Sequence, residues 1–226
     1  MNSLKKIYQI LLKELGHQGW WPVTPLGNCR SCGDSLPIYG LKAKTEKQKL
    51  EIIFGAILTQ NTQWKPNVEN SIIRLNEKNL IDVDKIIEIS DKELGELIRS
   101  SGYYNQKTKA LKAMALFLKE NPINKLVKMD LVELRKLILS VHGVGPETAD
   151  CILLYALDKP IFVIDAYTKR IMHKLGFKEE SYDDLKELFE DNLDKDVSLY
   201  KEYHALLVEL GKRKEFDYST LLKVCN

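Results

Sequence analysis

Only one stretch of this chain reads as a β-strand, Ile161–Ile164, and four apolar residues without a partner do not make a sheet. Elsewhere the punctuation is helical. Ser90-Asp-Lys-Glu93 sets a serine hydroxyl three residues before a glutamate, the reciprocal capping arrangement that opens a helix. Asp130-Leu-Val-Glu133 repeats it loosely before Leu131, Leu134, Leu137 and Ile138. Pro66 suits the first turn of a helix running to about Lys78. Asn105 precedes a run with Ala110, Leu111, Met114, Leu116 and Phe117. Thr148–Leu157, Ala166–Leu175, Ser181–Glu190 and Val197–Gly211 continue the pattern. Leu4, Ile7, Tyr8, Leu11 and Leu15 recur at helical spacing, so the N-terminal segment reads as an amphipathic helix rather than a signal peptide. The spacing predicts an all-α fold of about ten helices.

Two segments interrupt this rhythm. Trp20–Lys44 holds Pro22, Pro25 and Pro37 with Gly27, Gly33 and Gly40, the makings of a long loop. Asp158-Lys-Pro160 marks a sharp turn, read as a crossing between domains. The 226 residues are therefore expected as a helical barrel over residues 45–160 and a second helical domain from residues 1–44 plus 161–226. At 44% hydrophobic and 29% charged, the composition excludes a disordered chain. The longest apolar runs are about seven residues, such as Cys151–Leu157, against the roughly 20 of a membrane-spanning helix. Four cysteines, scattered except for one pair, make no disulfide framework, and a cytoplasmic location is expected. A net charge of +2 leaves any attraction to a polyanion to local placement.

Val141-His-Gly-Val-Gly-Pro-Glu-Thr-Ala-Asp150 carries the strongest chemical signal. Apolar helices flank it, Leu131–Ser140 before and Thr148–Leu157 after. Gly143 and Gly145 permit positive φ in a tight turn, and Pro146 suits the first helical turn. Such a turn aims the backbone around Gly143, Val144, Gly145, Glu147 and Thr148 outward from a helix start, which suits a phosphate. A lone Gly-x-Gly would suggest a plain helix connection; the flanking helices and Thr148-Ala149 favour DNA-backbone binding.

This window resembles the helix-hairpin-helix motif of the endonuclease III superfamily of DNA glycosylases. The superfamily places an acidic residue about twenty positions after the hairpin, where Ile164-Asp165 stands here before Ala166-Tyr-Thr-Lys-Arg170. Ile57-Leu-Thr-Gln-Asn-Thr62 resembles the segment whose glutamine fills the space of a flipped base, and Gly102-Tyr-Tyr-Asn-Gln-Lys107 resembles the wedge loop. The resemblance spans about Leu50 to Leu210 with the motifs in family order. It implies a DNA groove between two helical lobes, damaged double-stranded DNA as partner, Gln60 and Tyr103 filling the vacated duplex, and Lys107, Lys109 and Lys112 facing phosphates.

Asp165 then has two compatible roles. It can cap the helix at Ala166, and its carboxylate can stabilise the oxocarbenium-like sugar while water attacks. Glu147 departs from the superfamily members that also cut the strand, which carry a lysine there to form a Schiff base. The expected enzyme is therefore a monofunctional DNA glycosylase of base excision repair. Trp20-Trp21-Pro22 looks like the 3-methyladenine DNA glycosylase III branch, implying an indole-walled pocket for a cationic alkylated purine. The alternatives are a bifunctional glycosylase/lyase acting on another lesion and a non-catalytic DNA-binding protein.

Many of these relatives hold an iron–sulfur cluster on four C-terminal cysteines; Lys212–Asn226 contains only Cys225, so no cluster is expected. Cys29-Arg-Ser-Cys32 has the spacing of half a zinc site but no second pair, leaving open a site completed by His17 or Cys225 or a loop pair without function. The resemblance also implies a sodium or potassium ion at the hairpin's outward carbonyls when DNA is bound.

Residues 140–176 contain four basic side chains (Lys159, Lys169, Arg170, Lys174) and four acidic ones (Glu147, Asp150, Asp158, Asp165), so the motif is neutral and would grip phosphate through backbone N–H groups. The slope of log affinity against log salt should accordingly be shallower than about −0.9 per phosphate contacted in a footprint. A slope equal to that figure would contradict backbone-dominated binding.

Overall fold

The computed structural model describes residues 3–25 and 36–225; Cys29 and Cys32 lie outside the described residues. The fold is all-α. In chain order the helices are α1 (Ser3–Leu15), α2 (Glu46–Leu58), α3 (Glu69–Glu77), α4 (Val83–Glu88), α5 (Asp91–Leu97), α6 (Tyr104–Glu120), α7 (Ile123–Leu126), α8 (Leu131–Leu139), α9 (Pro146–Cys151), α10 (Ala166–Lys174), α11 (Tyr182–Asn192), α12 (Val197–Lys212) and α13 (Ser219–Cys225). π-Helical segments Trp64–Val68 and Ile152–Ala156 precede α3 and extend α9. No helix among the described residues is long and apolar enough to cross a membrane.

The caps behave as their residue types dictate. Ser90 Oγ accepts from Glu93 N at 3.2 Å, and Asp130 Oδ1 accepts from Val132 N at 2.8 Å. Pro66 stands in a first helical turn: Lys65 before it is extended (φ −95°, ψ 136°), the conformation a following proline favours, and the turn from Pro66 runs into α3, which is capped at Lys78. Ile161–Ile164 is buried without being a strand: Phe162 N donates to Glu190 Oε1 at 2.8 Å, a side chain doing what a neighbouring strand would do.

The chain divides into two compact units, Met1–Trp20 with Lys159–Asn226, and Trp21–Asp158. In the first, Phe162 and Phe189 stack with centroids 4.0 Å apart, and the rings of Tyr200 and Tyr203 meet Phe162 edge-on. Tyr203 Oη donates to Leu4 O at 3.0 Å, pinning α12 to α1.

The second unit is built around α2, whose Leu50, Ile52, Ile53, Phe54, Ala56, Ile57 and Leu58 are all buried. The described residues 21–25 and 36–44, expected with the chain ends, group with this unit instead. Buried Glu51 explains much of this: its carboxylate accepts from Thr24 N at 2.7 Å and from Asn76 Nδ2 at 2.7 Å. Burial pushes the Glu51 pKa up, with both hydrogen bonds opposing. Val23 also pairs with Ile38 in the one isolated β-bridge among the described residues.

Helices α8 and α9 flank the Gly-rich hairpin and are tied by a forked ion pair. Arg135 Nε and Nη2 donate to Asp150 Oδ1 and Oδ2 at 2.7 and 3.0 Å, and Asp150 is fully buried. Removing one partner of a buried pair costs far more than removing a surface pair. Arg135→Met should lower the unfolding free energy by about 3 kcal/mol in chemical denaturation. A loss under about 1 kcal/mol, the surface-pair range, would contradict a structural role for this fork.

Candidate functional site

The hairpin closes through Val144 N donating to Val141 O at 3.1 Å. Gly143 takes a positive φ of 82°, and a Cβ there would come within 2.7 Å of Ala110 Cβ. Gly145 does not share the expected left-handed conformation. It is the N-cap of α9, extended at φ −94° and ψ 177°, because Pro146 follows it. Val144 turns its side chain into the core while Gly143, Gly145 and Glu147 lie exposed. The hairpin thus presents backbone outward and anchors itself inward.

Gln60 braces this turn. Its Nε2 donates to Gly143 O at 2.9 Å and to Thr148 Oγ1 at 2.9 Å. Sequence patterning carries no signal for that contact, which joins residues 83 and 88 positions apart.

Tyr103 sits at the start of α6 with φ +47°, is 66% exposed, and follows Gly102 at φ +68°. Successive left-handed residues at an exposed aromatic are a strained arrangement of the kind found at functional loops. Lys107, one turn further on, does not face solvent. It is 2% exposed, and its Nζ donates to Leu58 O at 2.7 Å and Ser101 O at 2.6 Å. Burial lowers its pKa to about 8. This corrects its expected role at a phosphate: Lys107 ties the end of α2 to the loop before Tyr103. Lys112 is likewise engaged within the protein, by Ile89 O at 2.6 Å and Asp91 Oδ1 at 2.7 Å, whereas Lys109 is exposed.

Asp165 is the N-cap of α10, with Oδ1 accepting from Thr168 N at 2.7 Å. The residue is 8% exposed, and its Oδ2 lies 3.9 Å from Nε2 of His204 on α12. Burial lowers the His204 pKa below its ordinary 6.5; Lys212 adds to this and Asp165 opposes it. Lys212 ends α12 with its Nζ 5.1 Å from the Trp20 ring centre. Although Lys212 as a residue is exposed, burial of the ammonium lowers its pKa, with Glu209 and Asp165 opposing. His204 and Lys212 carry no motif; a histidine in an apolar helix looks like any core residue until its neighbour is known.

The tryptophan pair separates. Trp20 is half-buried under Lys212, in the unit that holds Asp165. Trp21 is 7% exposed in the other unit, edge-on to Trp64 at 5.7 Å and to Tyr155 at 5.5 Å, against Gly55. Trp21 is therefore core packing rather than the expected pocket wall, and Pro22 beside it is buried too. Among the described residues no cluster of three or more His, Cys, Asp or Glu side chains is arranged to hold a metal.

Known proteins resemble the chain along most of its length. The family described as HhH-GPD superfamily base excision DNA repair protein matches residues 54–195. A Methanocaldococcus jannaschii protein, provisionally named a DNA repair glycosylase, is 46% identical over 218 residues, covering 94% of this chain and 88% of its own. The solved structure of the Helicobacter pylori 3-methyladenine DNA glycosylase bound to 1,N6-ethenoadenine is 28% identical with a TM-score of 0.71, covering 96% of this chain and 100% of that one. An endonuclease III–DNA complex shares the fold at 19% identity with a TM-score of 0.70, covering 100% of this chain and 96% of that one. The chain belongs to the HhH-GPD superfamily of base excision DNA repair proteins.

Proposed function

We propose that this protein is a hydrolytic DNA glycosylase that flips a damaged base out of double-stranded DNA and excises it, the preferred lesion being an alkylated purine such as 3-methyladenine. The observation that carries the reading is Asp165, a buried N-cap with one carboxylate oxygen held by its helix and the other turned toward His204. A carboxylate so fixed favours positive charge developing on a deoxyribose before it. Flipping costs a few kcal/mol, and Tyr103, exposed on its strained loop, is suited to fill the gap left in the duplex. Gln60 would join it only by exchanging its hairpin contacts.

In the reaction the C1′–N bond breaks with its electron pair going to the base. Water adds to C1′, and its proton passes to the Asp165 carboxylate. A cationic alkylated purine leaves as a neutral base without prior protonation, so one carboxylate suffices. Glu147 in the first turn of α9 supports hydrolysis, since no amine is present there to form a Schiff base. The likeness over its whole length to a 3-methyladenine glycosylase supports an alkylated purine. Trp20 offers an indole face, but a cationic base must displace Lys212 from it or use the other side.

The hairpin carbonyls fit a monovalent cation by donor chemistry. Val141 O and Gly143 O each accept one hydrogen bond, from Val144 N and Gln60 Nε2, and each keeps a second lone pair. Such an ion would supply positive charge for a phosphate.

One observation favours a second reading, glycosylase with strand-cutting activity: Lys212 shares the site of Asp165, and its lowered pKa makes an amine more nucleophilic. Wild type and Asp165→Asn, incubated with duplexes bearing single defined lesions, with and without borohydride, separate the readings. Hydrolysis predicts free base from wild type, a loss of at least about 100-fold in Asp165→Asn, and no trapped adduct. An adduct would favour the lyase, and no release from a broad panel would overturn both enzyme readings.

Binding is tested separately at Gly143. A methyl group there meets Ala110 and opposes the positive φ, so Gly143→Ala should weaken affinity for undamaged duplex about tenfold in a fluorescence titration. Unchanged affinity would remove the hairpin from the interface.

A further inference from the structure

His204 has no part in the reaction as derived, yet it stands against the one Asp165 oxygen left outside the helix cap. Its Nε2 is 3.9 Å from Oδ2, while Oδ1 is held by Thr168 N at 2.7 Å. His204 is 7% exposed on α12, the helix that packs on α10, so neither side chain is a surface group that happens to pass the other. The charged groups that act on it are Asp165 from the cap of α10 and Lys212 from α12 itself, with Glu209 acting in turn on Lys212. Helix α1, also packed on α12, buries apolar Leu4, Ile7 and Leu11.

We propose that His204 is a pH-sensitive positioning residue for Asp165: while neutral it leaves the Oδ2 charge to the sugar cation, and once protonated it draws Oδ2 into an ion pair and stops the reaction. This rests on Asp165 being the carboxylate that stabilises the oxocarbenium ion. The geometry carries the argument. The two groups lie within ion-pair range but beyond hydrogen-bond length, so a neutral ring leaves the carboxylate charge intact and only a protonated ring pairs with it. A proton on the ring would place a full positive charge there, in competition with the sugar cation. Burial keeps the ring neutral at physiological pH, displacing its titration below 6.5. Excision should therefore show an acid limb: full rate above pH 6.5, falling as pH drops through the His204 titration.

Two measurements test this. The first follows the His204 imidazole by NMR titration in wild type and Asp165→Asn. Removing the anion that favours the protonated ring should move its titration to lower pH; an unchanged curve would overturn the coupling, whatever the enzyme's lesion. The second follows single-turnover excision against pH on dimethyl-sulfate-treated duplex, and on the best-excised duplex of the lesion panel if that one is not cleaved. Wild type should lose about tenfold in rate for each pH unit below the His204 titration with DNA affinity unchanged, one pH unit being tenfold in the neutral population. His204→Gln, which keeps a neutral polar group there, and His204→Asn, which guards against a misfolded glutamine variant, should keep their own pH 7.5 rate as the pH falls and so lack the acid limb. A merely structural histidine would lose affinity and thermal stability but leave the limb in place in His204→Gln, and that result would overturn the proposal. An Asp165→Asn variant with wild-type rate would instead overturn the reading of Asp165, separating the two failures.

Discussion

The hydrogen bond from Thr168 N to Asp165 Oδ1 is the constraint on which the chemistry proposed for this protein depends. A helix needs an acceptor at its N-cap, and many residues provide one. Aspartate alone among the good caps provides it and keeps a second anionic oxygen. The cap therefore does two things at once: it starts α10, and it points Oδ2 away from the helix, toward His204 on the neighbouring α12. Asparagine or serine would preserve the helix and lose the negative charge, so helix stability and the proposed excision are separable at this position.

The same economy of contacts recurs in the Trp21–Asp158 unit. Three long side chains hold its proposed binding elements in register, Gln60 and Lys107 by answering carbonyls that helix ends and turns leave unsatisfied and Arg135 by pairing with a buried carboxylate. Gln60 spans the carbonyl and hydroxyl of the hairpin. Lys107 spans Leu58 O and Ser101 O beneath the Tyr103 loop. Arg135 grips Asp150 between the helices that flank the hairpin. The exposed features, Gly143 and Tyr103, both take a positive φ, and these ties hold the backbone there. Net charge near zero is compatible with DNA as a partner because the hairpin offers backbone dipoles instead of ammonium groups.

Much of this was legible in the residues themselves because it is local. Helix starts at Ser90 and Asp130, the turn at Gly143 and the cap at Asp165 depend on neighbours within three or four positions, and such signals survive in one dimension. What pattern could not show is non-local. Lys107 in the first turn of α6 looks solvated until Leu58 and Ser101 bring their carbonyls to it. Trp21 looks like a pocket wall until Gly55 makes room for its indole against α2. Gly145 looks like Gly143 until the proline after it is taken into account. His204 becomes meaningful only through a residue 39 positions earlier in the chain, since nothing in an apolar helix distinguishes a buried histidine beside a carboxylate from one beside a leucine.

The central claim is that the deoxyribose cation facing Asp165 is captured by water and not by an amine of this protein. The mass of the DNA strand after one turnover tests it most directly, because hydrolysis and β-elimination leave different sugars. An intact strand lighter by the base and heavier by the hydroxyl group that replaces it is the predicted product. A shortened strand ending in an unsaturated aldehyde, formed by the wild-type protein and absent from a Lys212→Met variant, would contradict it.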